Sequence, residues 1–142
     1  GYALASPELV SILDQAREVY NVDRLAQAAA LAGLSDRTYF EQTRNSILKE
    51  REKFSLLLDE WGWKTCPSGA NFLFTKPIDS KGRTGPEVAT DLYDYLTSKN
   101  VLIRYFPKHE LTSSYLRISI GNASDMNILM ERIIEWKTQE QL

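Results

Sequence analysis

Apolar positions in the first 62 residues recur at intervals of three and four, the spacing of helices that each bury one face. Ser6 is a good N-cap with Pro7 at the first helical position, and Leu9, Ile12, Leu13, Ala16 and Val19 follow at helical spacing. "YNV" at 20–22 interrupts that helix. The alanine-rich "DRLAQAAALAGL" predicts a second helix closing at Gly33. Ser35 or Asp36 then caps a long helix over 36–61, with Phe40, Ile47, Phe54, Leu57, Leu58 and Trp61 as its apolar side and Gly62 as its stop.

From there the period changes. A strand is predicted at 70–75 behind a Pro-Ser-Gly turn, then a polar loop, "DSKGRTGPE". A helix over 86–99 carries Val88, Leu92, Tyr95 and Leu96 on one side. Strands follow at 101–106 ("VLIRYF") and 115–120 ("YLRISI"), joined by "PKHELTSS". Asn122 or Ser124 caps a last amphipathic helix with Met126, Leu129, Met130, Ile133 and Ile134 on its apolar side, and "KTQEQL" is a polar tail expected to fray. Each element has one apolar face to hide. The expected fold is therefore α/β of the α+β type: a small, mostly antiparallel sheet of about three strands covered by helices on one side. The helical arm is expected over 1–62 and the sheet unit over 63–142, with the long helix either packing on the sheet or bridging to another domain.

Two strands carry an arginine in otherwise apolar runs, and an unpaired buried charge is costly. Alternation decides where they point. Arg117 shares a face with Tyr115 and Ser119, opposite Leu116, Ile118 and Ile120, so it lies on a polar face. Arg104 shares a face with Leu102 and Phe106, opposite Val101, Ile103 and Tyr105. The ordinary expectation for such arginines is solvation or pairing with one of the 19 acids. The sharper one is a guanidinium fork facing a ligand carboxylate or phosphate. From the residues alone the ordinary reading leads.

Composition narrows the function classes. The 142 residues make one domain with a real core, and 43% hydrophobic and 25% charged content is that of a soluble globular protein. A net charge of −2 gives no bias toward nucleic acid or an anionic membrane. No apolar run approaches the roughly 20 residues that span a bilayer. Cys66 and His109 are the only residues of their types, too few for a zinc site or an internal disulfide, and this usage fits a reducing cytosol. Cys66 is expected to be a small buried hydrophobe, and His109 a surface residue. No metal, no glycine-rich phosphate loop and no paired carboxylates are indicated, and none of the eight lysines is placed like a desolvated Schiff-base lysine.

Several segments together resemble one family. "GYALASPELV", "YNVDRLAQAAALAGL", "CPSGANFLF", "LTSKNVLIRYF" and "YLRISIGNASDMNILMERI" occur in the order found in the C-terminal part of histidinol-phosphate aminotransferases, fold-type I pyridoxal-phosphate enzymes of histidine biosynthesis. The resemblance covers residues 1 to about 136, and "PSGANF" and "LRISIGNASDMN" are its most specific pieces. The latter resembles a pattern shared across class I and II aminotransferases.

The resemblance implies pyridoxal 5'-phosphate as cofactor of a full-length enzyme. The opening "GY" looks like the end of the family's lysine-bearing segment. The Schiff-base lysine, the cofactor-phosphate arginine and the aspartate for the pyridine nitrogen are then expected upstream, with no catalytic residue and no bound cofactor in this piece. Arg117 matches the family arginine that grips the anionic end of the substrate, and Arg104 matches a second arginine near it. Asn71 and Asn21 match positions near the substrate. The implied partners are a phosphorylated amine or amino-acid substrate, the large domain of the same chain and a second copy in a homodimer, in the cytoplasm, without nucleic acid or membrane. A decarboxylase of an amino-acid phosphate would use similar arginines. The other class of reading is a non-catalytic α/β module that binds anionic metabolites or mediates assembly.

Overall fold

The computed structural model describes residues 4–139, which form two compact units, one running to Glu41 and the other from Gln42. In the first, α1 (Pro7–Ala16) starts where the sequence predicts: the Ser6 hydroxyl accepts from the Leu9 amide at 3.5 Å. α2 (Arg24–Ser35) is capped by Asp23, whose carboxylate accepts from the Ala26 amide at 2.9 Å. α2 does not close at Gly33 but runs two residues further, where the Ser35 hydroxyl donates to the Leu31 carbonyl. Asp36 then serves both helices. Its amide donates to Ala32 as the end of α2, and its carboxylate accepts from the Tyr39 amide at 3.0 Å as the cap of α3 (Arg37–Glu60). No residue of α1 or α2 is buried.

The second unit holds the core. α3 contributes Phe54 and Leu58 to it and ends in a Schellman motif: Trp63 donates to Leu58 and Gly62, at φ 74°, donates to Asp59. The motif turns Trp63 inward and starts β1 (Lys64–Thr65), a two-residue strand that adds a fourth strand to the sheet. β2 (Phe72–Lys76), α4 (Pro86–Ser98), β3 (Arg104–Tyr105), β4 (Leu116–Ser119) and α5 (Ala123–Gln139) follow. α4 closes with a second Schellman motif, here with Asn100 at φ 60°, Val101 donating to Leu96 and Asn100 to Thr97. That reversal delivers the chain to β3.

The sheet is antiparallel throughout, in the order β1-β2-β4-β3. Leu73, Thr75, Leu116 and Ile118 face inward, and the three apolar ones join Val88, Ala89, Leu92 and Leu96 of α4 and Met126, Leu129, Ile133 and Trp136 of α5 in one buried cluster. The buried Thr75 hydroxyl is satisfied by Thr65 at 2.9 Å. Asn122, not Ser124, caps α5: its side chain accepts from the Asp125 amide at 3.0 Å while Asp125 accepts from the Asn122 amide at 3.2 Å. A Cβ at Gly121 would come within 2.7 Å of that Asp125 carboxylate, so the reciprocal cap needs a glycine before it. α5 continues through Lys137, Thr138 and Gln139 instead of fraying there, and residues 140–142 lie outside the described residues. Ile134, placed by periodicity on the apolar side, is 52% exposed, and Trp136 takes the inward position instead.

The loop after β2 is held by Asp79, whose buried carboxylate accepts from the Lys81 and Arg83 amides and from Arg83 Nε at 2.6 Å. Burial works to raise its pKa, but the bonds from Arg83 and Lys81 outweigh it and hold the carboxyl below the ordinary range. A depressed native pKa contributes stability that is present above the unfolded value of about 3.9 and is lost as pH falls through the native one. Asp79→Asn should therefore cost about 1–3 kcal/mol at pH 7. Urea denaturation at pH 7 and at pH 3 checks this, since the gap between the two proteins should narrow in acid.

Candidate functional site

In an antiparallel pair, directly opposed residues point to the same side of the sheet. Arg104 of β3 is directly opposite Arg117 of β4, and Arg117 is in turn opposite Phe74 of β2. Both guanidinium groups thus rise from the sheet face that points away from the buried cluster. Arg104 is exposed, as are its face neighbours Leu102 (82%) and Phe106 (41%), while Val101, Ile103 and Tyr105 turn inward. Among the described residues neither arginine forms an ion pair.

Arg117 is half-buried. Its Cζ lies 4.1 Å from the centroid of the Phe72 ring, and its Nε is buried with no hydrogen-bond partner among the described residues. Beside it Phe74 stacks on Tyr115 with centroids 4.9 Å apart and planes 14° from parallel. At the β1 end of the same face Lys64 is opposite Lys76. Four cations therefore share one face, and none of the four strands contains an aspartate or glutamate. Like charges directly opposed destabilise a strand pair. An anion seated between Arg104 and Arg117 would reverse the sign of that interaction.

The two asparagines are placed differently. Asn71 is exposed at the entrance of β2, and its carbonyl accepts from the Ile120 amide at 2.8 Å, which ties the turn to the end of β4. The turn is braced further: the Ser68 hydroxyl donates to the Phe72 carbonyl at 2.6 Å, and Arg51 of α3 donates to the Ala70 carbonyl. Asn21 belongs to the helical unit, where its side-chain oxygen accepts from Arg17 at 3.3 Å. Cys66, expected to be buried, is exposed. Thr65 faces inward toward Thr75, so alternation turns the next residue out. His109 sits on the surface, accepting from the Leu111 amide. No group of three or more metal-ligating side chains occurs among the described residues.

Phe72, Lys64 and Lys76 were not singled out by their sequence. Alternation in "FLFTK" does put 72, 74 and 76 on one side. What it cannot give is which strand lies alongside.

Residues 1–133 match the family model described as aminotransferase class I and II. Among curated relatives, a histidinol-phosphate aminotransferase of Geobacter sp. (strain M21) is 38% identical over 95% of this chain and 36% of its own length. One of Geotalea uraniireducens is 40% identical over 95% of this chain and 37% of its own length. The chain thus spans little more than a third of the relatives it matches. A crystal structure of histidinol-phosphate aminotransferase from Sinorhizobium meliloti, in complex with pyridoxal-5'-phosphate, has the same fold over 96% of this chain and 36% of its own (TM-score 0.80, 22% identity).

Proposed function

Because the chain belongs to the aminotransferase class I and II family, we propose that the complete protein is a histidinol-phosphate aminotransferase of histidine biosynthesis. Residues 1–142 are its C-terminal, small-domain region, working in the cytoplasm against the large domain of the same chain and as part of a homodimer. Among the described residues no helix is long and apolar enough to cross a membrane. The observation that carries the reading is the opposed pair of Arg104 and Arg117 in a sheet whose strands contain no acids.

Pyridoxal phosphate, implied by the family, supplies the electron sink for amino-group transfer when bound. This sheet face does not fit the cofactor itself, because no carboxylate of the strands can pair a ring nitrogen and Lys64 stands exposed. The face does fit the anionic end of a substrate. Two guanidinium forks offer converging N–H donors, and a phosphate oxygen can accept from each without desolvating an acid. Held on facing strands, the forks fix the phosphate and so orient the amine at the substrate's other end. Asn71 at the entrance of β2 and, in the helical unit, Asn21 are each proposed as substrate-binding on the resemblance alone.

The test is discrimination. The complete protein should use histidinol phosphate far better than histidinol as amino donor, and Arg104→Ala should reduce the ratio of their kcat/KM values about tenfold, the worth of one charge-assisted contact. Equal use of the two amines would overturn the reading.

A further inference from the structure

Arg117 is held in an unusual way for a partly buried cation. Its counterpart across β4–β3 is another arginine, its Nε meets no acceptor among the described residues, and it has no carboxylate partner there. The contact that remains is the face of Phe72, 4.1 Å from Cζ. Phe72 is opposite Ser119, two residues along β4 from Arg117, so the ring reaches the guanidinium on the diagonal. The directly opposed ring, Phe74, is taken by Tyr115. Repulsion from Arg104 favours any Arg117 rotamer that lies toward Phe72.

We propose that Phe72 is a positioning residue: its ring holds the Arg117 guanidinium in place and ready for the substrate phosphate without neutralising it. This rests on the anion-binding role of Arg117 given above. A carboxylate in the same place would also orient the fork, but it would occupy the N–H donors and cancel the charge that the phosphate is meant to meet. An aromatic face attracts the cation through its quadrupole and leaves the in-plane N–H groups free. The pre-oriented fork gives up less rotamer freedom when the phosphate arrives.

The experiment uses the complete holoenzyme with inorganic phosphate as competitive inhibitor and histidinol phosphate as substrate. Phe72→Leu should raise the phosphate inhibition constant and KM about five- to tenfold with kcat within about twofold, while Phe72→Tyr and Phe72→Trp stay close to wild type. Leucine also alters packing, so the deciding variant is Phe72→pentafluorophenylalanine, which keeps the ring's size and reverses its quadrupole. It should weaken phosphate as leucine does, and phosphate inhibition at the wild-type level in this variant overturns the proposal. Arg117→Ala separates the two ideas. If it abolishes phosphate inhibition while the fluorinated ring leaves it unchanged, the anion role stands and the positioning role fails. If Arg117→Ala itself leaves inhibition unchanged, the anion role fails and takes the positioning role with it.

Discussion

Arg117→Ala is expected to lower kcat/KM of the complete protein for histidinol phosphate by about two to three orders of magnitude, at about 1.4 kcal/mol per tenfold. Hydrogen bonds to charged groups contribute about 1.5–3 kcal/mol each, and a guanidinium can present two to one phosphate. Alanine removes both and leaves the dianion to Arg104, which is exposed and more strongly screened. Arg117→Lys should recover only part of the loss. An ammonium restores the charge, but it lacks the two-pronged geometry of the fork and its delocalised contact with the Phe72 ring. Steady-state kinetics on the three proteins decide the matter, and a loss smaller than about threefold in the alanine variant would remove Arg117 from the site.

The alternation of "YLRISI" and "VLIRYF" was sufficient to assign the faces of both arginines, since period two is a property of the backbone and needs no partner. Their meeting was not legible. Register depends on how "PKHELTSS" reverses the chain, and a shift of one residue would have sent Arg104 to the other face. β1 escaped for a related reason: two residues make no period, and the strand exists because the Schellman turn at Gly62 aims Trp63 into the core and lays Lys64 beside Lys76. The same limit explains Ile134. A stripe of helical spacing is wider than the contact one neighbour offers, so periodicity names more inward residues than the core accepts. In α1 the effect is complete: Leu9, Ile12 and Leu13 recur at the spacing of a buried face, yet all are exposed. Spacing states that a face is apolar, not what covers it. The family was legible by another route, in "PSGANF" and "LRISIGNASDMN", and the match of residues 1–133 to the aminotransferase class I and II model bears it out.

The helix layer behind the arginine strands gives the largest stability effect. Trp136, on the last turns of α5, is 2% exposed and donates from Nε1 to the Asp91 carboxylate of α4 at 2.6 Å. It thus joins the two helices by packing and by a charge-assisted bond, in the same cluster as Leu116 and Ile118 on the strand that carries Arg117. Trp136→Ala should cost about 3–5 kcal/mol, because the indole leaves a void that helices anchored on a sheet cannot close. Against the 5–15 kcal/mol that holds an average domain, that is a large fraction. Trp136→Phe keeps most of the apolar volume and loses the bond to Asp91, which is exposed and readily rehydrated, so about 1–2 kcal/mol is expected. Urea denaturation of the chain measures both through a shift in midpoint at constant slope. A cost below about 1 kcal/mol for alanine would mean that α5 does not dock through this residue, and the support of β4 by the helix layer would have to be assigned elsewhere.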